Sequence, residues 1–259
     1  MDKQNRAKDL VLGLRRQMPR LGTRKLHYLL KSELDIGRDK LFDLLRAEGL
    51  LVYKRRRYTV TTNSKHWMRK YPNLIRGIEL VRPEQVWVSD ITYIDTQDGH
   101  GYLHLITDAY SKQIMGYELC GNMEAASTLK ALQMAITNRE YKDQALIHHS
   151  DRGLQYCSKL YTNYLKDNNI TISMTENGDP YENAIAERVN GILKDEFGLS
   201  EQLGNISEAV HQTAQSISIY NNSRPHLSCS MLTPVQMHQQ KEIKVKSYNK
   251  KAQTSLVDV

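Results

Sequence analysis

Apolar residues in the first 50 positions recur every three or four residues, in three separate runs. The runs are Leu10, Leu14 and Met18, then Leu26, Leu29, Leu30 and Leu34, then Leu41, Leu44 and Leu45. This spacing puts the apolar side chains of each run on one face of a helix, so it predicts three short amphipathic helices. Gly22, the "DIG" before the third run and Gly49 are suitable helix boundaries.

The third predicted helix carries cationic side chains at Arg38, Lys40 and Arg46. Three short helices of this kind are compatible with a helix-turn-helix, whose second helix enters the major groove of DNA. A small helical bundle with ordinary surface lysines has the same spacing. We therefore assign residues 1–52 to a small all-helical, helix-turn-helix-like domain and leave its partner open at this point.

From Val86 onward the pattern changes to short runs rich in Val, Ile and Tyr. "QVWVSDITYIDT", "YLHLITDAY" and "IMGYELC" have strand length and strand composition, and they follow one another closely enough to form an antiparallel meander. "MEAASTLKALQMAITNRE" is predicted to be a helix with Asn122 as its N-terminal cap.

The remaining runs alternate between strand and helix. "ALIHHS" and "ITISM" read as strands, while "SKLYTNYLKDN", residues 181–198 and residues from about 206 to 221 read as helices. The order βββαβαβα predicts an RNase H-like α/β fold, a mixed five-stranded sheet flanked by helices, over residues 83–240. Other α/β arrangements remain open on the pattern alone.

Charge is distributed unevenly along the chain. Residues 1–82 contain 21 Lys and Arg against 8 Asp and Glu, whereas residues 83–259 contain 15 against 21. A basic N-terminal third beside an acidic body favours a module that binds a polyanion such as nucleic acid. A basic segment that only maintains solubility is the simpler alternative.

The predicted domains are joined by a basic linker, residues 53–82, and followed by a basic flexible tail, residues 241–259. The linker begins "YKRRRYTVTTNSKHWMRKYPN", with four consecutive cations at 54–57. Such a segment can follow a phosphate backbone, and its rings at Tyr58, Trp67 and Tyr71 either stack on bases or anchor the linker. A solvated linker remains the alternative.

Cysteine usage and hydropathy indicate the compartment. Cys120, Cys157 and Cys229 are far apart and lack C-x-x-C spacing, so neither a disulfide framework nor a zinc ribbon is predicted. No apolar run approaches the length of about 20 residues that a membrane span needs. We expect a soluble cytoplasmic protein with no membrane partner.

Three acidic residues occupy positions that require an explanation. Asp90 lies in the middle of a predicted strand, where a carboxylate is costly unless it is paired or binds a cation. Asp151 follows the predicted fourth strand, the neighbour of the first in an RNase H-like sheet. Glu187 lies on a predicted helix, on the side away from the apolar stripe, together with Asn183, Asn190 and Lys194.

Three carboxylates brought together repel one another unless hard divalent cations lie between them. Such a cluster suits phosphoryl transfer with two Mg²⁺ ions, about 3.5–4 Å apart, one activating the nucleophile and one steadying the leaving oxygen. His148 and His149 are adjacent on a strand and face opposite sides, so we interpret them as packing or DNA-proximal residues rather than as ligands of one ion.

The motifs "VWVSDITYI", "HSDRGLQY" and "YENAIAERVNGILKDE" resemble the DDE transposases of the insertion-sequence-three family, specifically the OrfB-type product, which is related in fold to retroviral integrases. Thirty-five residues separate Asp151 from Glu187, the D,D(35)E spacing of that family, and Lys194 stands seven residues after the glutamate. "YNNSRPH", "LTP" and "LGTRKLHYLL…LLRAEGL" are also similar to family segments.

The resemblance implies that Asp90, Asp151 and Glu187 are catalytic metal ligands for Mg²⁺, with Mn²⁺ as a possible substitute. It implies recognition of terminal inverted repeats and target DNA, strand cleavage and strand transfer in a homo-oligomer, and fusion with or help from an OrfA product. The predicted DNA-binding residues are Arg24, Lys25, Arg38, Lys40, Lys54, Arg55, Arg56, Arg57, Asn183, Asn190 and Lys194. A non-cleaving DNA-binding regulator and an RNase H-type nuclease are the competing interpretations.

Overall fold

The structure is a computed structural model that describes residues 3–53, 67–176 and 183–240. The predicted contacts at Lys54–Arg57 and the predicted tail 241–259 lie outside these residues. The helices are α1 Lys3–Arg15, α2 Thr23–Leu29, α3 Arg38–Ala47, α4 Ala125–Thr137, α5 Leu154–Cys157, α6 Lys159–Asp167, α7 Ala184–Glu196, α8 Ile206–Ser223 and α9 Pro234–His238. The strands are β1 Val86–Thr96, β2 Gly99–Asp108, β3 Ile114–Cys120, β4 Leu146–Ser150 and β5 Ile170–Met174.

The five strands form one mixed sheet in the order β3-β2-β1-β4-β5. The first three strands pair antiparallel, as a meander requires, and β1 pairs parallel with β4, which pairs parallel with β5. The parallel pairs are reached through helical crossovers, as parallel neighbours must be. The predicted RNase H-like mixed sheet flanked by helices is confirmed.

Helix α4 lies unusually close to the sheet at Gly116 of β3. A Cβ atom at this position would lie 2.1 Å from the main-chain oxygen of Ala131. Only glycine permits this approach, because any side chain would collide with the backbone of α4. The glycine therefore fixes the depth at which α4 covers one face of the sheet.

The three N-terminal helices are confirmed, with Gly22 and Gly37 preceding α2 and α3. Gly49 has φ of 66°, a left-handed conformation that ends the third helix at low cost. Leu26 and Leu41 belong to the same hydrophobic cluster as residues of the sheet, α7 and α8. The helical segment is thus packed directly against the α/β body, while the boundary at residue 52 stays a prediction.

Three details differ from the prediction. The short helices α5 and α9 were not expected, because a single turn is too short for apolar periodicity to reveal. The N-cap of α4 is Glu124 rather than Asn122, and the Asn122 side chain instead accepts a hydrogen bond from Ser127 Oγ at 3.0 Å.

None of the described helices combines the length and the apolarity needed to cross a membrane.

Candidate active site

The sheet brings Asp90 and Asp151 to neighbouring positions. Strand β1 pairs with β4 in the register Trp87 with His148 and Val88 with His149. Continuing that register by two residues would place Asp151 beside Asp90, and the charge of Asp151 does act on the Asp90 carboxylate. Neighbouring strands are about 4.8 Å apart, so both carboxylates lie in the same region at the carboxyl end of β4.

Helix α7 is joined to β1 by two asparagine side chains. Asn190 Nδ2 donates to Asp90 Oδ2 at 2.7 Å, and Asn183 Nδ2 donates to the main-chain oxygen of Ser89 at 2.9 Å. Glu187 lies three residues before Asn190, one turn away on the same helix face. The contacts of α7 therefore place the third carboxylate next to the region that Asp90 and Asp151 share.

The charges of the three residues act on one another. Burial raises the pKa of Asp90 to about 7, and the negative charges of Asp151 and Glu187 contribute to that rise. The hydrogen bond from Asn190 opposes the rise only in part. Partial burial also raises the pKa of Glu187. The region thus brings the charges of three carboxyl groups close enough to act on one another.

The carboxylates approach one another without forming a closed ligand cage. Within residues 3–53, 67–176 and 183–240, no group of three or more His, Cys, Asp or Glu side chains is close enough to hold a metal ion. The donor types nevertheless fit a hard cation, because carboxylate oxygen is the ligand that Mg²⁺ and Mn²⁺ prefer. The effect of Asp151 and Glu187 on the pKa of Asp90 is the observation that favours a divalent cation here.

Two predicted DNA contacts on α7 are placed differently from expectation. Asn183 and Asn190 were assigned to the helix side away from the apolar stripe, but both side chains are buried against β1. Their burial differs from that expectation because one polar margin of α7, as well as its apolar stripe, packs on the sheet. Lys194, seven residues after Glu187, is partly exposed.

The cationic residues of the helical segment divide into two groups. Arg24, Arg38 and Lys40 are exposed, and Arg38 pairs with the neighbouring Asp39 at 2.8 Å. Lys25 is buried, and its Nζ lies 2.9 Å from Glu196 Oε1 at the end of α7. Lys25, which was predicted to bind DNA, is instead covered because its helix face packs on the α/β body.

Both histidines of "HHSD" are packing residues in this structure. His148 Nε2 lies 2.7 Å from Ser89 Oγ and 2.9 Å from the Tyr161 hydroxyl, and burial lowers the pKa of His148 to about 3. His149 Nδ1 lies 2.8 Å from Ser173 Oγ on β5. The two rings point to opposite faces of the sheet, as expected.

An ion network at the end of α7 was not predicted. Arg224 binds Glu196 in a bidentate manner, with Nη2–Oε1 and Nε–Oε2 distances of 2.7 and 2.8 Å, and Lys25 binds the same carboxylate. The arginine of "NNSRPH" and the glutamate of "KDEF" are visible in the sequence, but their 28-residue separation carries no spacing signal. Only the packing of α2 and α8 on α7 brings the three charges together.

Comparisons with known proteins agree with this architecture. Residues 81–180 and residues 168–234 match two family models, each described as integrase core domain. The chain is 36% identical over 216 residues to the IS600 insertion-element 31 kDa protein of Shigella sonnei, covering 82% of this chain and 79% of that protein. It is 33% identical over 200 residues to the transposase InsF of insertion sequence IS3fB from Escherichia coli K12, covering 76% and 68%.

A solved structure shares the fold. A chain of the simian T-cell lymphotropic virus intasome in complex with the PP2A regulatory subunit B56 gamma superposes with a TM-score of 0.54 at 16% identity, covering 96% of this chain and 80% of that one.

The transposase for insertion sequence element IS629 of Shigella sonnei is 32% identical over 78% of this chain and 68% of its own length. The chain belongs to the IS3 family of DDE transposases and contains an integrase core.

Proposed function

We propose that this transposase cleaves DNA at the terminal inverted repeats of an insertion sequence and joins the freed ends to target DNA, with Asp90, Asp151 and Glu187 as catalytic metal ligands. The observation that carries the proposal is the position of Asp90. Burial and the charges of Asp151 and Glu187 raise the pKa of its carboxyl group. Strongly perturbed carboxylates in one region are typical of catalytic sites.

The three carboxylates would hold Mg²⁺ or Mn²⁺, which would supply activation of a hydroxyl nucleophile and stabilisation of the departing oxygen. The chain's own residues prepare the site. Asn190 donates a hydrogen bond to Asp90 Oδ2 and so orients this carboxylate. Asn183, the N-cap of α7, ties the start of this helix to β1, which helps to set the position of the helix that carries Glu187.

DNA is the proposed partner of the basic helical segment, through phosphate contacts of Arg24, Arg38 and Lys40, and of Lys194 on α7. Action as a homo-oligomer on DNA is part of the proposal, and the structural neighbour that shares the fold is a chain of an intasome. An OrfA product or an OrfAB fusion is the further proposed partner. We place this activity in the cytoplasm, in association with DNA.

The test is strand cleavage and strand joining by purified protein on inverted-repeat DNA with Mg²⁺. Asp90→Asn, Asp151→Asn and Glu187→Gln should each abolish both reactions while DNA binding, measured by gel shift, is retained. These substitutions remove charge but keep side-chain shape, so folding should persist. A variant that cleaves at the wild-type rate would remove its residue from the catalytic set.

A non-cleaving regulator is the second candidate. The observation that favours it is that the described carboxylates do not form a closed metal cage in the isolated chain. The same cleavage assay, repeated with the OrfA product or the fusion present, separates the two. Cleavage that depends on Glu187 in either form supports the transposase, and inactivity in both forms supports the regulator.

A further inference from the structure

Residues 72–74 are hydrogen-bonded along the free edge of β5. Met174 N donates to the main-chain oxygen of Pro72 at 3.2 Å, and Leu74 N donates to Ser173 Oγ at 2.9 Å. Asn73 N adds a bond of 3.2 Å to Glu176 Oε1 just beyond the strand. Residues 72–74 therefore occupy a fixed place at the carboxyl end of the sheet.

Two side chains anchor residues 68–71, which come just before. We call residues 68–74 the anchored segment. Met68 and Tyr71 pack against the hydrophobic cluster that contains Tyr156 and Cys157. The ring of Tyr71 also lies beneath two cations, with 5.2 Å from Arg69 Cζ and 5.9 Å from Lys166 Nζ to its centroid. Of the two ring roles that the sequence left open, Tyr71 takes the anchoring one.

Trp67 has the opposite environment. Its exposed fraction is 90%, larger than that of any other large hydrophobic side chain in the described ranges. The only other tryptophan, Trp87, is fully buried. A large ring exposed at the end of an anchored segment is costly in water and is typical of a residue that stacks on a partner.

The anchored segment lies beside the candidate active site. Met174 pairs with Ser150 at the end of β4, and Thr175 N donates to the Ser150 oxygen at 3.0 Å. Asp151 is the next residue. Cys157 belongs to the cluster that anchors Tyr71. Burial raises the pKa of its thiol, the charge of Asp151 raises it further and the charge of Lys70 lowers it, so both charged groups lie near this cluster.

The charge of the segment that carries Trp67 favours a nucleic acid over a protein partner. Arg69, Lys70 and Lys166 are exposed cations on or against the anchored segment. A protein interface would place further apolar side chains near the ring, whereas exposed cations on the same segment as an exposed aromatic ring are typical of single-strand binding, in which phosphates and bases are contacted together.

We propose that Trp67 stacks on an unpaired base of the DNA strand that enters the carboxylate site, while Arg69, Lys70 and Lys166 contact the phosphates of the same strand. The inference rests on the proposed function, because the strand that stacks on Trp67 would be the strand that is cleaved at the carboxylate site. It names a base-stacking site that is separate from the helix-turn-helix-like segment.

Tryptophan fluorescence measures this site directly. The full chain is titrated, with a metal chelator present to prevent cleavage, with a 12-nucleotide single strand and with the blunt duplex of the same sequence. Subtracting the spectrum of Trp67→Phe isolates the Trp67 emission, since Trp87 is buried. The single strand should quench that emission and protect it from acrylamide, and it should do so more strongly than the duplex.

Affinity supplies the second readout. Trp67→Ala should weaken single-strand binding about 10-fold, and Trp67→Phe should restore most of the loss because a ring can still stack. Val210→Ala, which removes apolar surface from an exposed position on α8, is the matched control and should bind as the wild type does. Replacing Arg69 and Lys70 together by Gln should reduce the salt slope of single-strand binding by about 1.4.

Trp67 emission that stays unchanged at saturating DNA would overturn the proposal, as would equal affinity in the wild type and Trp67→Ala. Protection of Trp67 that grows with protein concentration without DNA would identify a contact between copies and would also overturn it. The measurement needs no catalysis. Failure of the Glu187 assay would therefore reject the proposed function without altering the result at Trp67.

Discussion

Asn190 Nδ2 lies 2.7 Å from Asp90 Oδ2, so an amide on α7 holds a carboxylate on β1. This bond joins two elements that are 100 residues apart in sequence. It fixes the orientation of Asp90 and sets the distance from β1 to the helix that carries Glu187. The relationship makes Asn190 a positioning residue for the candidate active site.

We predict that Asn190→Ala reduces the rate of strand cleavage about 10-fold, because partners that orient a metal-binding carboxylate typically contribute a factor of 10 to 100. The Mg²⁺ concentration that gives half the maximal rate should rise, while the affinity for inverted-repeat DNA should not change. Single-turnover cleavage at a series of Mg²⁺ concentrations measures both effects.

Asn205→Ala is the matched control for that experiment. Asn205 caps α8 by accepting a hydrogen bond from Glu208 N at 2.9 Å, so its loss should lower the free energy of unfolding by about 1 kcal/mol. The control should keep the wild-type Mg²⁺ dependence. If Asn205→Ala and Asn190→Ala shift that dependence equally, Asn190 has no specific positioning role.

The buried network around Glu196 predicts unequal effects of its members on stability. Burial alone would raise the pKa of Glu196, but Arg224 and Lys25 outweigh it and hold that pKa below its ordinary value. Burial and the charge of Arg224 lower the pKa of Lys25 to about 8, despite its pairing with Glu196. The two cations thus stabilise the charged form of Glu196, whereas burial and Arg224 destabilise the charged form of Lys25.

Glu196→Gln should therefore lower the free energy of unfolding by about 3 kcal/mol, because it leaves two buried cations without a counter-charge. Lys25→Met should change it by less than about 1 kcal/mol, because an apolar side chain replaces a charge that burial disfavours. Urea unfolding of both variants measures the difference. Equal losses in the two variants would contradict this account of the network.

His238 predicts a pH dependence of stability. Burial alone would lower its pKa, but the hydrogen bond with Glu84 and the charge of Asp108 outweigh burial and raise the pKa above 6.5. A raised histidine pKa stabilises the fold fully below the unfolded value and ceases to do so as pH rises through the folded value. The unfolding free energy should thus fall on the alkaline side of about pH 6.5.

His238→Gln should flatten that decline, since glutamine keeps a hydrogen-bond donor but has no proton to lose. Thermal unfolding at pH values from 6 to 9 compares the wild type and the variant. The His238 ring lies on α9, 3.4 Å from Glu84 Oε1 and 3.8 Å from Asp108 Oδ1. A variant with the same decline as the wild type would assign the pH dependence to other groups.

The sequence predicted the sheet because each strand has its own local pattern and because parallel strands need crossover helices. Asp90 could be singled out for a similar reason, since a carboxylate in the middle of a strand breaks that pattern. The positions of Asn183, Asn190 and Lys25 could not be predicted. Whether a polar helix residue is exposed depends on which neighbouring element covers it, and periodicity within the helix carries no such information.

The network of Lys25, Glu196 and Arg224 illustrates the same limit. Each residue is an ordinary surface type in its own segment, and only the packing of α2 and α8 against α7 makes them partners. Trp67 and Tyr71 are another example, because both are aromatic residues in one basic segment and only the edge of β5 distinguishes the anchor from the exposed ring.

The central claim is that Asp90, Asp151 and Glu187 together bind a divalent cation. Electron paramagnetic resonance of free Mn²⁺ tests it most directly, because each bound ion leaves the free signal, and the full chain can be compared with Asp90→Asn, Asp151→Asn and Glu187→Gln. We expect the wild type to withdraw Mn²⁺ from solution and each variant to bind it at least about 10-fold more weakly. Equal Mn²⁺ binding by the wild type and all three variants would contradict the claim.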